Sequence, residues 1–344
     1  MANNGAHDTA TTVPGDRATP DVSLSVAGVA ASNSNSYTIT GTGFGAKFIG
    51  AATFDNFESE SVGAASSPIG NLKSGNVTGT TISEIDSNSG SRCLSHDFSV
   101  NGFPKIYREL AGARAKGYMS LHVKWSGSNT STTIFKYGRV GAGGVYSGNP
   151  KFGESYTSSG MAPSSFGGEV VTSNGIVGYG ANANFKASDP SAIYTPDTWH
   201  FYELEWDAGT TGQPDSFFEA RCDGQRTITF DGLEFLTAEN SSLPDWVLTF
   251  INGFDQSPNI TALMDDVYID ESRARVVMTN AALYADSTEW AAQGITSYST
   301  TSVITSSEPQ SFTVGETAYL HLFNALGVLV SEGNQITVAS EGGQ

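Results

Sequence analysis

The stretch that most constrains the fold is the run TWHFYELEW over residues 198–206, in which side chains alternate with a period of two. Tyr202, Leu204 and Trp206 fall on one side, and two glutamates fall on the other. This period predicts a β-strand with one buried face. The run SFFEARC over 216–222 alternates in the same way, and Asp223-Gly224 after it is typical of a hairpin turn, because both positions tolerate positive φ. We therefore predict neighbouring strands at the centre of a sheet, with a hairpin partner over 225–231.

The composition favours the same class of protein. Glycine accounts for 39 of the 344 residues and charged residues for only 15%, which suits an all-β chain with many turns. The length suffices for two domains that bury their cores without disulfides. We accordingly predict that Cys93 and Cys222, each within a strand-like run, are buried free thiols.

The central runs together resemble the concanavalin A-like (laminin G-like) jelly roll, in which a strand that begins at Trp is followed by a strand that ends in Asp-Gly. The resemblance implies a jelly-roll sandwich over residues 51–285, which begins at ATFDNFE (52–58) and closes at LMDDVYID (263–270), with its first and last strands adjacent. Period-two runs predict its other strands, and the aperiodic residues 141–166 predict a long ordered loop. Those strands lie near 92–99, 117–125, 131–139, 168–179 and 246–251.

The flanking segments predict a second domain. The run YTITGTGFG (37–45) resembles the early strands of IPT/TIG-type immunoglobulin-like domains, and residues 293–340 hold closely spaced short strands. We therefore predict a discontinuous immunoglobulin-like domain from 21–50 plus 286–344, with the jelly roll inserted in it. Residues 1–20 are polar and predict a flexible arm that joins copies of the chain into a homo-oligomer or lattice.

Catalytic motifs of the superfamily match only in part. Glu84-Ile85-Asp86 begins the glucanase pattern E-x-D-x-x-E but lacks its last acid. The alginate-lyase branch uses R-x-E-L, Q-x-H and Y-x-K-A-G-x-Y-x-Q; residues 108–110 and 135–146 resemble the first and third. Lyase chemistry requires a cation to neutralise the substrate carboxylate and a base near the sugar C5. The candidates are Arg108, His122, Lys136, Arg139 and Tyr146, although a hydrogen-bonded strand histidine explains His122 better.

Two kinds of binding site are also predicted. Aromatic residues around the long loop, which stack on sugars when polar groups lie nearby, suggest glycan contact. They are Tyr137, Tyr146, Tyr156 and Phe166. If the first and last strands pair, Asp55, Glu58, Asp265 and Asp266 bring several carboxylates to one edge, which suits a structural Ca²⁺ ion.

The net charge of −18 argues against a nucleic-acid partner. No apolar run is long enough for membrane insertion, and residues 1–20 lack the features of a secretory signal. From these features we expect an extracellular or virion-surface location.

The poor match of the catalytic motifs favours a non-enzymatic surface or structural protein, of a phage-like virion or an extracellular fibre, that displays the jelly roll for adhesion or glycan contact. The alternatives are a polysaccharide lyase or glycoside hydrolase, and a secreted carbohydrate-binding module.

Overall fold

The computed structural model describes residues 28–33, 36–47, 53–65, 69, 72–74, 78–97, 106–109, 116–126, 134–142, 151–158, 166–172, 175–179, 197–207, 209–233, 246–253 and 261–341. The predicted N-terminal arm and Tyr146 lie outside these residues. No helix in the described part is long and apolar enough to cross a membrane.

Regular structure in these ranges is β-strand, apart from a 3-10 turn at Tyr284–Asp286. The strands before the central hairpin are β1 (Gly28–Asn33), β2 (Ser36–Thr40), β3 (Thr53–Asp55), β4 (Gly63–Ala64), β5 (Lys73–Ser74), β6 (Thr80–Ser83), β7 (Cys93–Asp97), β8 (Ile106–Glu109), β9 (Lys116–Ser126), β10 (Ile134–Ala142), β11 (Lys151–Ser158), β12 (Phe166–Thr172) and β13 (Gly175–Tyr179). The strands from the hairpin onward are β14 (His200–Asp207), β15 (Ser216–Cys222), β16 (Gln225–Leu233), β17 (Trp246–Gly253), β18 (Thr261–Asp270), β19 (Arg275–Thr279), β20 (Trp290–Gln293), β21 (Ile295–Tyr298), β22 (Ser302–Ser306), β23 (Thr317–Phe323) and β24 (Leu329–Thr337).

The central part of the chain forms an antiparallel jelly-roll sandwich, as the sequence predicts. One sheet has seven strands in the order β13-β12-β11-β10-β17-β8-β5. The other has nine strands in the order β16-β15-β14-β9-β18-β7-β6-β4, with β3 paired to β18. The strands β14, β15 and β16 are neighbours, and Asp223 and Gly224 in the turn have φ of 50° and 70°. Tyr268 of β18 is opposite Phe54 of β3, so the jelly roll begins and ends on adjacent strands.

The predicted loop over 141–166 is wrong, because β11 occupies residues 151–158 inside it. The pairing of β10 with β11 is interrupted at Lys136/Gly138 and at Val140/Gly141, and that of β11 with β12 at Lys151/Glu154. Each such bulge shifts the alternation of side chains by one residue. A strand with bulges therefore loses the period of two by which strands are detected in a sequence.

The two flanking segments come together in a second pair of four-stranded sheets. Their orders are β1-β2-β22-β21 and β20-β19-β23-β24. Ile39 of β2 is opposite Val303 of β22, and Ile39 shares one buried cluster with Phe44, Val276 and Leu320. The strand β19 belongs to this pair although it precedes residue 286, where the predicted second domain resumes. The immunoglobulin-like character of the unit stays a prediction.

The centre of the nine-stranded sheet is buried on both faces, whereas the alternation of β14 predicts one buried face. All eight residues of β14 are buried. The second pair of sheets covers the outer face, where the rings of Phe201 and Trp290 stack with centroids 6.3 Å apart. We call this interface between the jelly roll and the second pair of sheets the seam. Its apolar side chains are Phe54, Tyr118, Phe201, Tyr268, Val277, Tyr284, Trp290, Ala292 and Phe323. The two cysteines are buried and free, as predicted.

Charged groups lie at the centre of the seam. Glu203 and Glu205 come from the outer face of β14, and Arg275 comes from β19. Arg275 Nη1 lies 3.1 Å from Glu205 Oε2, and its Nε lies 3.5 Å from Glu203 Oε1. The hydroxyls of Tyr118 and Tyr284 donate to the two oxygens of Glu203 at 2.8 and 2.9 Å. The buried carboxylates of Glu203 and Glu205 are thus compensated by a neighbouring guanidinium or by hydrogen bonds, which replace the water that they lose on burial.

Burial and the neighbouring arginines shift the pKa of Glu205 in opposite directions. Burial alone would raise the pKa of Glu205, but the guanidinium groups of Arg275, Arg273 and Arg221 outweigh burial and lower that pKa below its usual value. Arg273 also donates from Nε to Glu205 Oε1. A carboxyl whose pKa is depressed in the folded state stabilises the fold above its unfolded pKa of about 4.3, and that contribution is lost as the pH falls through the folded pKa.

We expect Arg275→Met to lower the free energy of unfolding by about 3–5 kcal/mol, because it removes the cation paired with buried Glu203 and leaves buried Glu205 with Arg273 alone. Urea denaturation at pH 7 measures the change. The matched control is Glu84→Gln, which removes a pair with Arg92 whose side chains are 57% and 29% exposed and should cost less than about 1 kcal/mol. Equal losses in the two variants would contradict the assignment of the seam charges as a stabilising group.

Candidate functional site

A row of polar and aromatic residues crosses the seven-stranded sheet. Directly paired residues of antiparallel strands lie on the same face, so a chain of register partners defines a row on one face. Across six adjacent strands, this row consists of Tyr107, Thr249, Arg139, Glu154, Glu169 and Tyr179. Tyr156 lies two residues from Glu154 along β11 and is opposite Lys136. The register thus aligns one basic residue, two acidic residues and two tyrosines at paired positions of the sheet.

The two sheets of the jelly roll differ in charge. The strands of the seven-stranded sheet carry five basic and three acidic residues. Those of the nine-stranded sheet carry four basic and ten acidic residues. The strands of the seven-stranded sheet therefore have a basic excess, although the whole chain has a net charge of −18. An anionic ligand is attracted more to this sheet than to the nine-stranded sheet.

The structure separates the predicted catalytic residues. Arg108 and Lys136 lie on β8 and β10 of the seven-stranded sheet, but Arg108 is opposite Leu248 and so occupies the face away from the row. His122 lies on β9 of the nine-stranded sheet, 5% exposed, with its ring 5.2 Å from Phe201 at the seam. The second pair of sheets covers that face, so His122 cannot share a site with Lys136. Its Nδ1 lies 3.4 Å from Asp266 Oδ2.

The predicted sugar-binding aromatics are divided in the same way. Tyr156 is on the face of the row. Phe166 is opposite Thr157, which follows Tyr156 on β11, so Phe166 belongs to the other face. Tyr137 falls at the irregularity between Lys136 and Gly138. Sequence reasoning gave no role to Tyr107, Glu154, Glu169 or Tyr179, because only the register of bulged strands shows that they are aligned.

Three of the four predicted calcium ligands, Glu58, Asp265 and Asp266, anchor a loop, whereas Asp55 accepts the N–H of Phe57 at 3.0 Å. Asp265 Oδ2 accepts the N–H groups of Asn88 and Ser89, each at 3.0 Å. Glu58 Oε1 accepts the N–H groups of Ser91 and Arg92 at 2.8 and 2.6 Å. In the described part of the chain, the predicted set of four forms no group of ligand atoms close enough for one metal ion. The hydrogen bonds of Asp265 and Asp266 instead hold residues 88 and 89 against β18, and those of Glu58 hold residues 91 and 92 beside the segment that follows β3.

A small acidic cleft lies where this loop meets the second pair of sheets. Its carboxylates come from Asp266 on β18 and from Glu308 and Glu341 near the C-terminus. Glu308 is only 2% exposed. Burial, with the charges of Glu341 and Asp266, raises the pKa of Glu308 to about 8, although a hydrogen bond from Ser306 opposes the shift. The Glu308 carboxyl is therefore mostly protonated at neutral pH.

We expect Glu308→Gln to stabilise the fold progressively as the pH rises. A carboxyl whose pKa is raised in the folded state lowers stability between its unfolded pKa, about 4.3, and its folded value. The melting temperature of the variant, relative to the natural chain, should therefore climb from pH 5 to about pH 8 and level off above it. Thermal melts in matched buffers test this. The exposed Glu84→Gln control should show no such trend, and a flat difference for Glu308→Gln would contradict the raised pKa.

Comparison with known proteins gives likeness of fold only. No protein-family model and no curated protein matches the chain. Among solved structures, the alginate lyase Aly36B is similar at 14% identity, over 64% of this chain and 97% of that one, with a TM-score of 0.43. The endo-β-1,4-glucuronan lyase of the fungus Trichoderma reesei is similar at 7% identity, over 64% and 95%, with a TM-score of 0.42. A carbohydrate esterase of the Shiga toxin-encoding bacteriophage phi24B is similar at 14% identity, over 64% and 96%, with a TM-score of 0.37.

Proposed function

We propose that the jelly roll binds an acidic polysaccharide across its seven-stranded sheet and cleaves it by β-elimination. The observation that carries the proposal is the row through Arg139, on a sheet whose strands have a basic excess within a strongly acidic chain. Six strands at about 4.8 Å spacing make a row roughly 24 Å long. A row of that length suits an extended polymer better than a small ligand.

Arg139 is the residue we assign to the substrate carboxylate. It occupies the middle of the row, between Thr249 and Glu154 in register. A guanidinium binds a carboxylate through two parallel hydrogen bonds. Neutralising a uronate in this way stabilises the carbanion that forms when the neighbouring C5 proton leaves.

Tyr156 is the residue we assign as general base. It lies on the same face as Glu154 and is opposite Lys136, which supplies positive charge beside a phenolate. The phenolate takes the C5 proton, the electron pair of that bond forms the C4–C5 double bond, and the C4–O bond breaks. The leaving oxygen receives the proton from Tyr156, which returns the base to its starting state.

A second candidate is glycoside hydrolysis, which one further observation favours. Glu154 and Glu169 are directly opposite each other on β11 and β12, with Cβ atoms expected about 4.5–5.5 Å apart. Retaining glycosidases hold their two carboxyl groups about 5–5.5 Å apart. Like charges in directly opposite positions destabilise a sheet, so this pair needs an explanation other than stability.

We expect the full chain to release products with ultraviolet absorbance of an unsaturated uronate from alginate or β-1,4-glucuronan, the polymers named for the similar structures. Tyr156→Phe and Arg139→Ala should each lower kcat/KM at least about a hundredfold, in the range of a lost acid–base or charge-stabilising group. Tyr319→Phe, on β23 of the second pair of sheets, is the matched control and should keep full activity.

The alternatives give different results in the same assay. New reducing ends without absorbance, lost in Glu154→Gln and in Glu169→Gln, would replace elimination by hydrolysis. Binding without cleavage, abolished by Arg139→Ala, would leave the non-enzymatic glycan contact that the sequence favours. Neither binding nor cleavage across a panel of uronate polymers would overturn the proposal as a whole.

A further inference from the structure

Three metal-ligating side chains meet where the first residue of β14 lies beside the turn between β15 and β16, away from the row on the seven-stranded sheet. They are His200, Cys222 and Asp223, and their ligand atoms all lie within 4.8 Å of one another. Cys222 is opposite Tyr202, and Tyr202 lies two residues from His200 on β14. The imidazole and the thiol therefore share one face of the nine-stranded sheet. Asp223 is the first residue of the turn, beside them both.

The backbone fixes this arrangement before any ligand binds. The N–H of Asp223 donates to the carbonyl of Phe201 at 2.8 Å, and the N–H of Phe201 donates to Asp223 Oδ1 at 2.8 Å. The other oxygen, Oδ2, lies 2.6 Å from His200 Nδ1. The carboxylate is thus oriented by a main-chain donor on one oxygen and faces the imidazole with the other, which is the support that metal ligands receive from their surroundings.

The donor set selects the kind of cation. Nitrogen, sulfur and oxygen donors in one group suit Zn²⁺ and similar divalent transition metals, whereas Ca²⁺ and Mg²⁺ take oxygen donors. Bond lengths of about 2.0–2.3 Å in a tetrahedral site place ligand atoms roughly 3.3–3.8 Å apart. A bound ion would replace the direct hydrogen bond between His200 and Asp223, and their ligand atoms, now 2.6 Å apart, would separate to that spacing.

The burial and the charges of these three side chains also suit a divalent metal ion. Cys222 is fully buried and His200 is 4% exposed, while the Asp223 side chain is 26% exposed. A divalent ion with one thiolate and one carboxylate has no net charge, which suits a buried site. Asp223 is thus the ligand of the three with the most contact with solvent.

We propose that His200, Cys222 and Asp223 form a mononuclear site for a divalent transition-metal ion of the Zn²⁺ type. The site ties the end of β14 to the turn after β15. Binding replaces the S–H bond of Cys222 by a metal–sulfur bond and releases one proton to solvent.

The test uses the full chain, stripped with a chelator and titrated with Zn²⁺ alone, and separately with Co²⁺. We expect one equivalent to bind, a higher melting temperature with Zn²⁺, and a thiolate-to-Co²⁺ charge-transfer band in the near ultraviolet. Cys222→Ser and His200→Gln should each weaken binding more than about a hundredfold, beyond the loss caused by removing a supporting residue. Cys93→Ser is the matched control, because Cys93 is also buried and free, and it should bind like the natural chain.

Asp223→Asn keeps the test valid if the other variants fail to fold. Asparagine retains an oxygen acceptor for the Phe201 N–H and tolerates positive φ in the turn, yet it removes the anionic ligand. It should fold normally, as judged by circular dichroism, and bind Zn²⁺ more weakly. Uptake of Zn²⁺ that is unchanged in Cys222→Ser or Asp223→Asn, or binding of Co²⁺ without the sulfur band, would overturn the site.

Discussion

The buried ion pairs between β14 and β19 are the constraint on which the arrangement of the whole molecule depends. A carboxylate held at 2% or 3% exposure, as Glu203 and Glu205 are, is tolerable only if its cation arrives with it. Arg275 supplies that charge from the second pair of sheets, and its guanidinium also lies 3.7 Å from the ring centroid of Phe323. The jelly roll and its neighbour therefore complete each other's polar interior, which an apolar contact alone would not require.

This seam also decides where a ligand can bind. Because the second pair of sheets covers the outer face of the nine-stranded sheet, His122 and the loop-anchoring carboxylates take structural roles there. The basic excess lies on the strands of the opposite sheet, where Arg139 and Tyr156 fall on one face. The acidic character of the chain as a whole conceals this difference, because net charge says nothing about how charge is divided between two sheets.

The regular alternation of apolar and polar residues made much of the fold predictable from the sequence. The candidate site was not predictable, because its strands lack that alternation. The central hairpin follows from the alternating runs 198–206 and 216–222. The pairing of the first and last strands is implied by the resemblance to the jelly roll, and the meeting of the two flanking segments by the short strands that they contain. The row through Arg139 and Glu154 does not follow from such a run, since bulges in β10 and β11 break the period that identifies a strand. Likewise, the second buried face of β14 depends on Arg275, which is distant in sequence and gives no local signal.

The pairing of β2 with β22 has a mechanical consequence. Tyr37 is opposite Thr305 and Ile39 is opposite Val303, so the segments on either side of the jelly roll are hydrogen-bonded to each other. Tension applied through residues 28 and 341 acts first on the terminal strands β1 and β24 and then on the β2–β22 ladder, and the jelly roll lies in the loop that this ladder closes. A chain stretched between two attachment points would thus keep its seven-stranded sheet unloaded until β2 and β22 separate.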